Sequence, residues 1–164
     1  MAGPMEVEEI AIETRETLQF ISLAIVQNCR RTLDITSRHL DPAIYDQALF
    51  VEAVKQIALN NRHARIRFLV TDIAPLVSHG HRLIELSSRL SSFISIRKPG
   101  RDYRSFNEAM LLADNRAYIH RRFADRFEGA ASYDDPRRTA ELRGRFEEIW
   151  ERAETDANLQ RLHL

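Results

Sequence analysis

Disulfides are excluded at the outset. Cys29 is the lone cysteine of the chain, so neither an intrachain bridge nor a cysteine-based metal cluster is open to it. Placed among apolar residues of a predicted helix, it reads as a small buried filler. Long apolar runs are also missing, and nothing approaches the roughly 20 consecutive apolar residues of a membrane-spanning helix. Lysine is nearly absent, with only Lys55 and Lys98 among 24 basic residues. Those are balanced by 24 acidic residues, so no global field draws the chain toward nucleic acid or anionic lipid. The opening stretch from Met1 to Glu16 holds five Glu and one Arg, the reverse of the basic start of a signal peptide. The expected location is the cytoplasm, with no membrane partner.

What is present is a chain of ordinary single-domain size, 44% apolar and 29% charged, a balance that supports a real core. Arginine carries nearly all the positive charge. It favours planar, bidentate contacts to carboxylate or phosphate, although a GC-rich gene would give the same bias. Residues 1–13 read as an acidic, flexible lead-in, and residues 14–164 as one domain. Leu18, Ile21, Ile25 and Cys29 recur at helical spacing within a helix over 14–31, and a strand follows at 32–37. A helix over 47–60 buries Phe50, Val54, Ile57 and Ala58, with a strand at 64–70 after it. Thr71 to Pro75 is read as a loop, 78–91 as a helix, and 93–97 as a strand stopped by Pro99-Gly100. Residues 123–136 read as a polar loop. The last helix, 137–154, carries Leu142, Phe146, Ile149 and Trp150 on a core face. This order predicts an α/β domain with a mixed, mostly parallel sheet flanked by helices on both faces.

The most informative stretch runs from Asn107 to Asp114. It is apolar through its middle, turns at Asp114-Asn115-Arg116 and restarts at Ala117-Tyr118-Ile119-His120, as two strands of a hairpin do. The spacing of Asn107, Ala109 and Asp114 resembles the His-x-Lys-(x)4-Asp motif of the phospholipase D-like superfamily. The resemblance spans about Thr17 to Ala153, opening with a helix and an Ile/Asp-containing strand. It closes on a helix with Phe-x-x-x-Trp, here Phe146 and Trp150. It implies a single phospholipase D-like lobe of the short, one-motif type, whose members build a site by pairing two subunits. A homodimer through the motif face follows as an expectation. The nearest likeness is to small bacterial domains of unknown function, some associated with acyltransferase-like genes, which implies an acyltransferase-type protein partner.

In active relatives the motif His is the nucleophile and forms a phosphohistidine, the Lys holds phosphate oxygens, and the Asp orients the imidazole. Here Asn107 stands at the His position and Ala109 at the Lys position. An amide is not a competent nucleophile, and alanine supplies no charge to a transferring phosphoryl group. Only Asp114 carries over, and a hairpin Asp is equally a turn residue. The family mechanism is therefore not expected here, and Asn107, Ala109 and Asp114 are vestigial catalytic positions.

Other residues are candidates for an anion site. His79-Gly80-His81 with Arg82 lies at a predicted helix start, suited to anions through the helix N-terminus, or is simply a solvated helix entry. His39 follows the first strand at a sheet end where α/β folds bind ligands. His120 and Arg121 follow the hairpin, and from Arg97 to Arg126 there are eight basic and four acidic residues. With Asn107 these would form an anion-binding groove for a phosphate-bearing ligand. Tyr103 and Phe106 are the aromatics considered for base stacking. Asp34, Asp41, Asp46 and Asp72 lack recognisable metal spacing. No metal and no cofactor is implied.

Three functions compete: a non-catalytic phospholipase D-like domain for binding or assembly, a phosphate-ligand or nucleic-acid binder, and a phosphodiesterase-type enzyme with a relocated His site. The last requires at least two of His39, His79, His81 and His120 to converge.

Overall fold

In the computed structural model, which describes residues 8–156, a seven-stranded sheet organises the chain. Its strands are β1 (Ile10–Ile12), β2 (Thr32–Ser37), β3 (Arg65–Val70), β4 (Ile94–Arg97), β5 (Ala109–Ala113), β6 (Ala117–Arg121) and β7 (Gly129–Ser132), in spatial order β1-β7-β6-β5-β2-β3-β4. The sheet is mixed, as expected, but its parallel share is smaller than the sequence suggested. Only β2–β3 and β3–β4 pair in parallel, while β2–β5, β5–β6, β6–β7 and β1–β7 pair antiparallel. For β5–β6 the reason is connection length. A three-residue hairpin turn reverses the chain between β5 and β6, whereas parallel neighbours need a crossover helix.

Six helices accompany the sheet: α1 (Arg15–Asn28), α2 (Pro42–Tyr45), α3 (Ala48–Asn60), α4 (Ala74–His79), α5 (Arg82–Arg89) and α6 (Pro136–Glu151). Polar side chains start them where the sequence supplies caps. Thr14 accepts the Thr17 N–H at α1, Asp41 precedes Pro42 at α2, and Asp135 precedes Pro136 at α6. The single helix expected over 78–91 is two helices, divided at Gly80, whose φ of 72° lies in the left-handed region.

Alternation along the strands sorts the core into two layers. Leu33, Ile35, Ile66, Phe68, Leu111 and Ile119 face α1, α3 and α5. Leu69, Met110, Leu112 and Tyr118 face α6, where they meet Leu142, Phe146, Ile149 and Trp150. The Phe146 and Trp150 rings lie 5.7 Å apart and nearly parallel.

Two further expectations are corrected. Residues 10–12 belong to the sheet rather than to a flexible lead-in: Ile10, Ala11 and Ile12 pair with Ala131, Ala130 and Gly129. Residues 1–7 lie outside the described residues. The expected polar loop 123–136 contains β7, whose Gly-Ala-Ala-Ser sequence has little strand propensity of its own. Gly129 is needed there, because a Cβ would sit 2.5 Å from the His120 carbonyl oxygen.

Candidate anion-binding site

The strand ladder puts the two ends of the motif stretch at opposite edges of the sheet. β5 runs against β2, pairing Met110 with Thr36 and Ala113 with Leu33. Asn107 therefore stands beside the carboxyl ends of β2 and β3, the edge where α/β sheets hold ligands. Asp114 sits at the far edge. Its carboxylate accepts the backbone N–H groups of Arg30, Arg31 and Thr32 at 3.0, 2.9 and 3.1 Å. Its own backbone takes φ 53°, a conformation Asp tolerates better than most side chains. In this chain Asp114 closes the α1–β2 turn and has no contact with Asn107. It also faces Cys29, whose thiol is pushed up to about 12, by burial first and by the Asp114 charge second. Cys29 is thus a buried, inert filler, as its sequence setting indicated.

At the carboxyl edge, Asn107 is exposed, and its carbonyl accepts the Ala124 N–H at 2.7 Å. Ala109 is buried and lies directly across the ladder from Arg121. Arg121 is itself 3% exposed. Its guanidinium donates to the Ala124 carbonyl at 3.1 Å, and no carboxylate pairs with it among the described residues. Its electrostatic influence falls on the fully buried Tyr45. The other buried arginine shows the contrast. Arg67 is held by Asp34 at 2.7 Å and by Glu147 on the α6 face.

His120 projects to the opposite face of β6 from Arg121. Its Nε2 lies 2.8 Å from Glu108 Oε1, and Glu108 is also bound by Arg145 of α6. The other candidates divide. His81 is buried as the N-cap of α5, its Nδ1 accepting the Leu83 N–H and its Nε2–H donating to the Leu40 carbonyl. Burial, its largest influence, lowers the His81 pKa. Both ring nitrogens are occupied, so His81 offers a ligand nothing. It holds Leu40, whose φ of 54° is costly for a non-glycine residue. His39 lies half-buried just before that turn, and His79 is exposed at the end of α4. Arg82 is exposed and leans on Asp46 at 3.8 Å. Asn107, His120 and Arg121 thus share an edge, whereas His79, His81 and Arg82 form a separate capped turn.

The four aspartates do not converge either. Asp41 caps α2, Asp46 accepts the Arg82 N–H, and Asp72 accepts the Ala74 N–H. Asp34 is fully buried beneath α6, where Arg67 and Arg143 engage both of its oxygens. Its partners, 33 and 109 residues away, have no local sequence signal. Among the described residues no group of three His, Cys, Asp or Glu side chains is arranged to hold a metal ion.

Tyr103 and Phe106 are half-buried rather than presented to solvent. Tyr103 bonds Glu148 at 3.2 Å, and Phe106 packs against the α6 core. The exposed aromatic at this edge is Phe123, on the β6–β7 loop. Its signal, Arg-Phe-x-x-Arg in a polar segment, was readable in the sequence but easily passed over as loop.

Solved structures place this mixed seven-stranded sheet in the phospholipase D-like α/β fold. Nuc from Salmonella typhimurium, a phospholipase D family member, matches with a TM-score of 0.66 at 7% identity, covering 91% of this chain and 97% of that one. NucT from Helicobacter pylori matches with a TM-score of 0.65 at 9% identity, covering 92% and 100%. TrmBL2, an archaeal chromatin protein whose structure shows a novel mode of DNA binding, matches with a TM-score of 0.66 at 16% identity. That match covers 94% of this chain but 56% of TrmBL2, so the chain spans about half the length of that relative. At these identities the likeness is one of fold. The chain belongs to the family described as Domain of unknown function (DUF7931), whose model matches residues 14–162. No curated protein matches the sequence.

Proposed function

We propose that the chain is a non-catalytic phospholipase D-like domain that holds a phosphate-bearing ligand at the Asn107–Arg121 edge. The observation that carries this reading is Arg121, a buried cation that no carboxylate pairs with among the described residues. Desolvating a guanidinium without a counter-ion costs several kcal/mol, and a position bearing that cost has a reason to keep it. An anion docking against the exposed Asn107 amide would meet that uncompensated charge through a low-dielectric wall, where attraction is stronger than in water. Catalysis of the family type lacks its parts. Asn107 cannot form a phosphohistidine, and the imidazole on the adjacent strand, His120, lies on the other face and is tied to Glu108. The DNA-binding of TrmBL2, a relative in fold, is consistent with a phosphate ligand.

The test is a thermal-shift titration with tripolyphosphate, alongside an assay for hydrolysis of bis(p-nitrophenyl) phosphate. A ligand that binds only the folded state raises Tm by mass action. The expected result is a saturable rise in Tm that is lost in Arg121→Met and kept in Arg121→Lys, with no turnover. Saturable hydrolysis abolished by Asn107→Ala would overturn the non-catalytic reading. An undiminished shift in Arg121→Met would overturn the site.

A further inference from the structure

The β6–β7 loop, residues 122–128, has features that ordinary connection does not require. Phe123 is 46% exposed, and the Arg126 guanidinium lies over its ring, 5.2 Å from the centroid. The two line a concavity of about 470 Å³ with His120, Arg122 and Glu128. That volume falls within the range of small-ligand sites. The loop is also held in place. Ala124 donates to the Asn107 carbonyl and accepts from Arg121, so the aromatic platform is anchored to both residues of the anion edge.

We infer that Phe123 and Arg126 form a base-stacking platform for single-stranded nucleic acid, a proposal that rests on the phosphate-binding reading above. An exposed ring backed by a guanidinium presents a π-face of the kind on which an unpaired base stacks, and the arginine adds a cation–π contribution. The charges on the loop balance, with Arg122 and Arg126 set against Asp125 and Glu128. The loop therefore attracts phosphate weakly by itself. Arg121, buried behind the loop on the other face of β6, adds attraction for the backbone from a distance, and the stack supplies the preference for unpaired bases. A paired base in a duplex shows no free face to Phe123, so single strands are the selected form.

The experiment is fluorescence anisotropy of the full chain with a labelled oligothymidylate and with a mixed-sequence duplex, in wild type, Phe123→Ala and Phe123→Trp. Phe123 is exposed, so both variants are expected to fold, which a thermal melt checks. The expected result is tighter binding of the single strand than of the duplex. Phe123→Ala should weaken the single strand by about tenfold, the scale of one lost base stack, and Phe123→Trp should retain it. The tripolyphosphate shift should be the same in all three proteins. Equal single-strand affinity in wild type and Phe123→Ala, or a duplex bound as tightly as the strand, would overturn the platform while leaving the anion site standing. Absence of both oligonucleotide and tripolyphosphate binding would overturn both.

Discussion

Arg121 lies directly across the β5–β6 ladder from Ala109, with both residues buried. A cation introduced at Ala109 would lie beside the Arg121 guanidinium and be repelled by it. Ala109 is 1% exposed and Arg121 3%, so Ala109→Lys would bury a second cation beside the first. We expect that substitution to destabilise the fold by about 3 kcal/mol, the scale of an uncompensated buried charge. In the double variant Ala109→Lys/Arg121→Ala the like-charge part of the penalty should be relieved. Urea unfolding of the four proteins in a double-mutant cycle measures that coupling. Additive penalties would mean that the two positions do not compete for one charge.

Arg121 itself should trade stability for binding. Replacing it with methionine removes an unpaired buried charge and loses one hydrogen bond, to the Ala124 carbonyl. Apolar replacements of buried charges are often neutral or stabilising. We expect ligand-free Arg121→Met to be at least as stable as wild type, with a gain of about 1 kcal/mol, while losing the tripolyphosphate shift. Chemical denaturation without ligand gives the first quantity. A marked loss of stability would show that the guanidinium serves the fold, not a ligand.

Asp114 should behave in the opposite way. It accepts three backbone N–H groups at the α1–β2 turn, at the far edge of the sheet from Asn107. Asp114→Ala leaves those donors without their carboxylate and should cost about 2–3 kcal/mol. Tripolyphosphate affinity, measured well below the lowered Tm, should not change. An affinity loss larger than the stability loss accounts for would place Asp114 in the site after all.

These contrasts explain which parts of the molecule could be read from its sequence. Strands 32–37 and 65–70 and the hairpin about Asp114-Asn115-Arg116 are encoded locally, by alternation and turn chemistry, and they stand where the periodicity put them. β1 and β7 are not. Ile10–Ile12 is too short and Gly129–Ser132 too weak in propensity to signal a strand, and each is a strand because it pairs with a neighbour. The site followed the same rule. Asn107 and Arg121 were legible as residues, because a motif frame and a basic stretch mark them. That Arg121 is buried without a counter-ion while Arg67 has two depends on side chains far apart in the chain. His81 resembled a ligand for want of the same information, since its cap to Leu83 is local but its bond to Leu40 spans 41 residues.

Acid should lower the protein's stability in two steps, through groups on opposite faces of the sheet. Burial lowers the His81 pKa below its ordinary value near 6.5, so the folded state holds the imidazole neutral more strongly than the unfolded chain does. The stability this contributes is fully present above pH ~6.5 and is lost as pH falls through the folded value. Protonation would also place a hydrogen on Nδ1, which now accepts the Leu83 N–H. Glu147 acts lower. Its hydrogen bonds to Arg67 hold its carboxyl below the usual glutamate range, so its contribution is present above pH ~4.3 and is lost as pH falls through the depressed value. Urea unfolding across pH 7 to 3 should therefore show stability declining first below about pH 6.5 and again below about pH 4.3. His81→Asn keeps an N-cap oxygen for α5 and should flatten the first decline alone. Glu147→Gln should flatten the second alone. If His81→Asn leaves the upper decline unchanged, that titration belongs to one of the more exposed histidines, and the buried cap does not govern stability in mild acid.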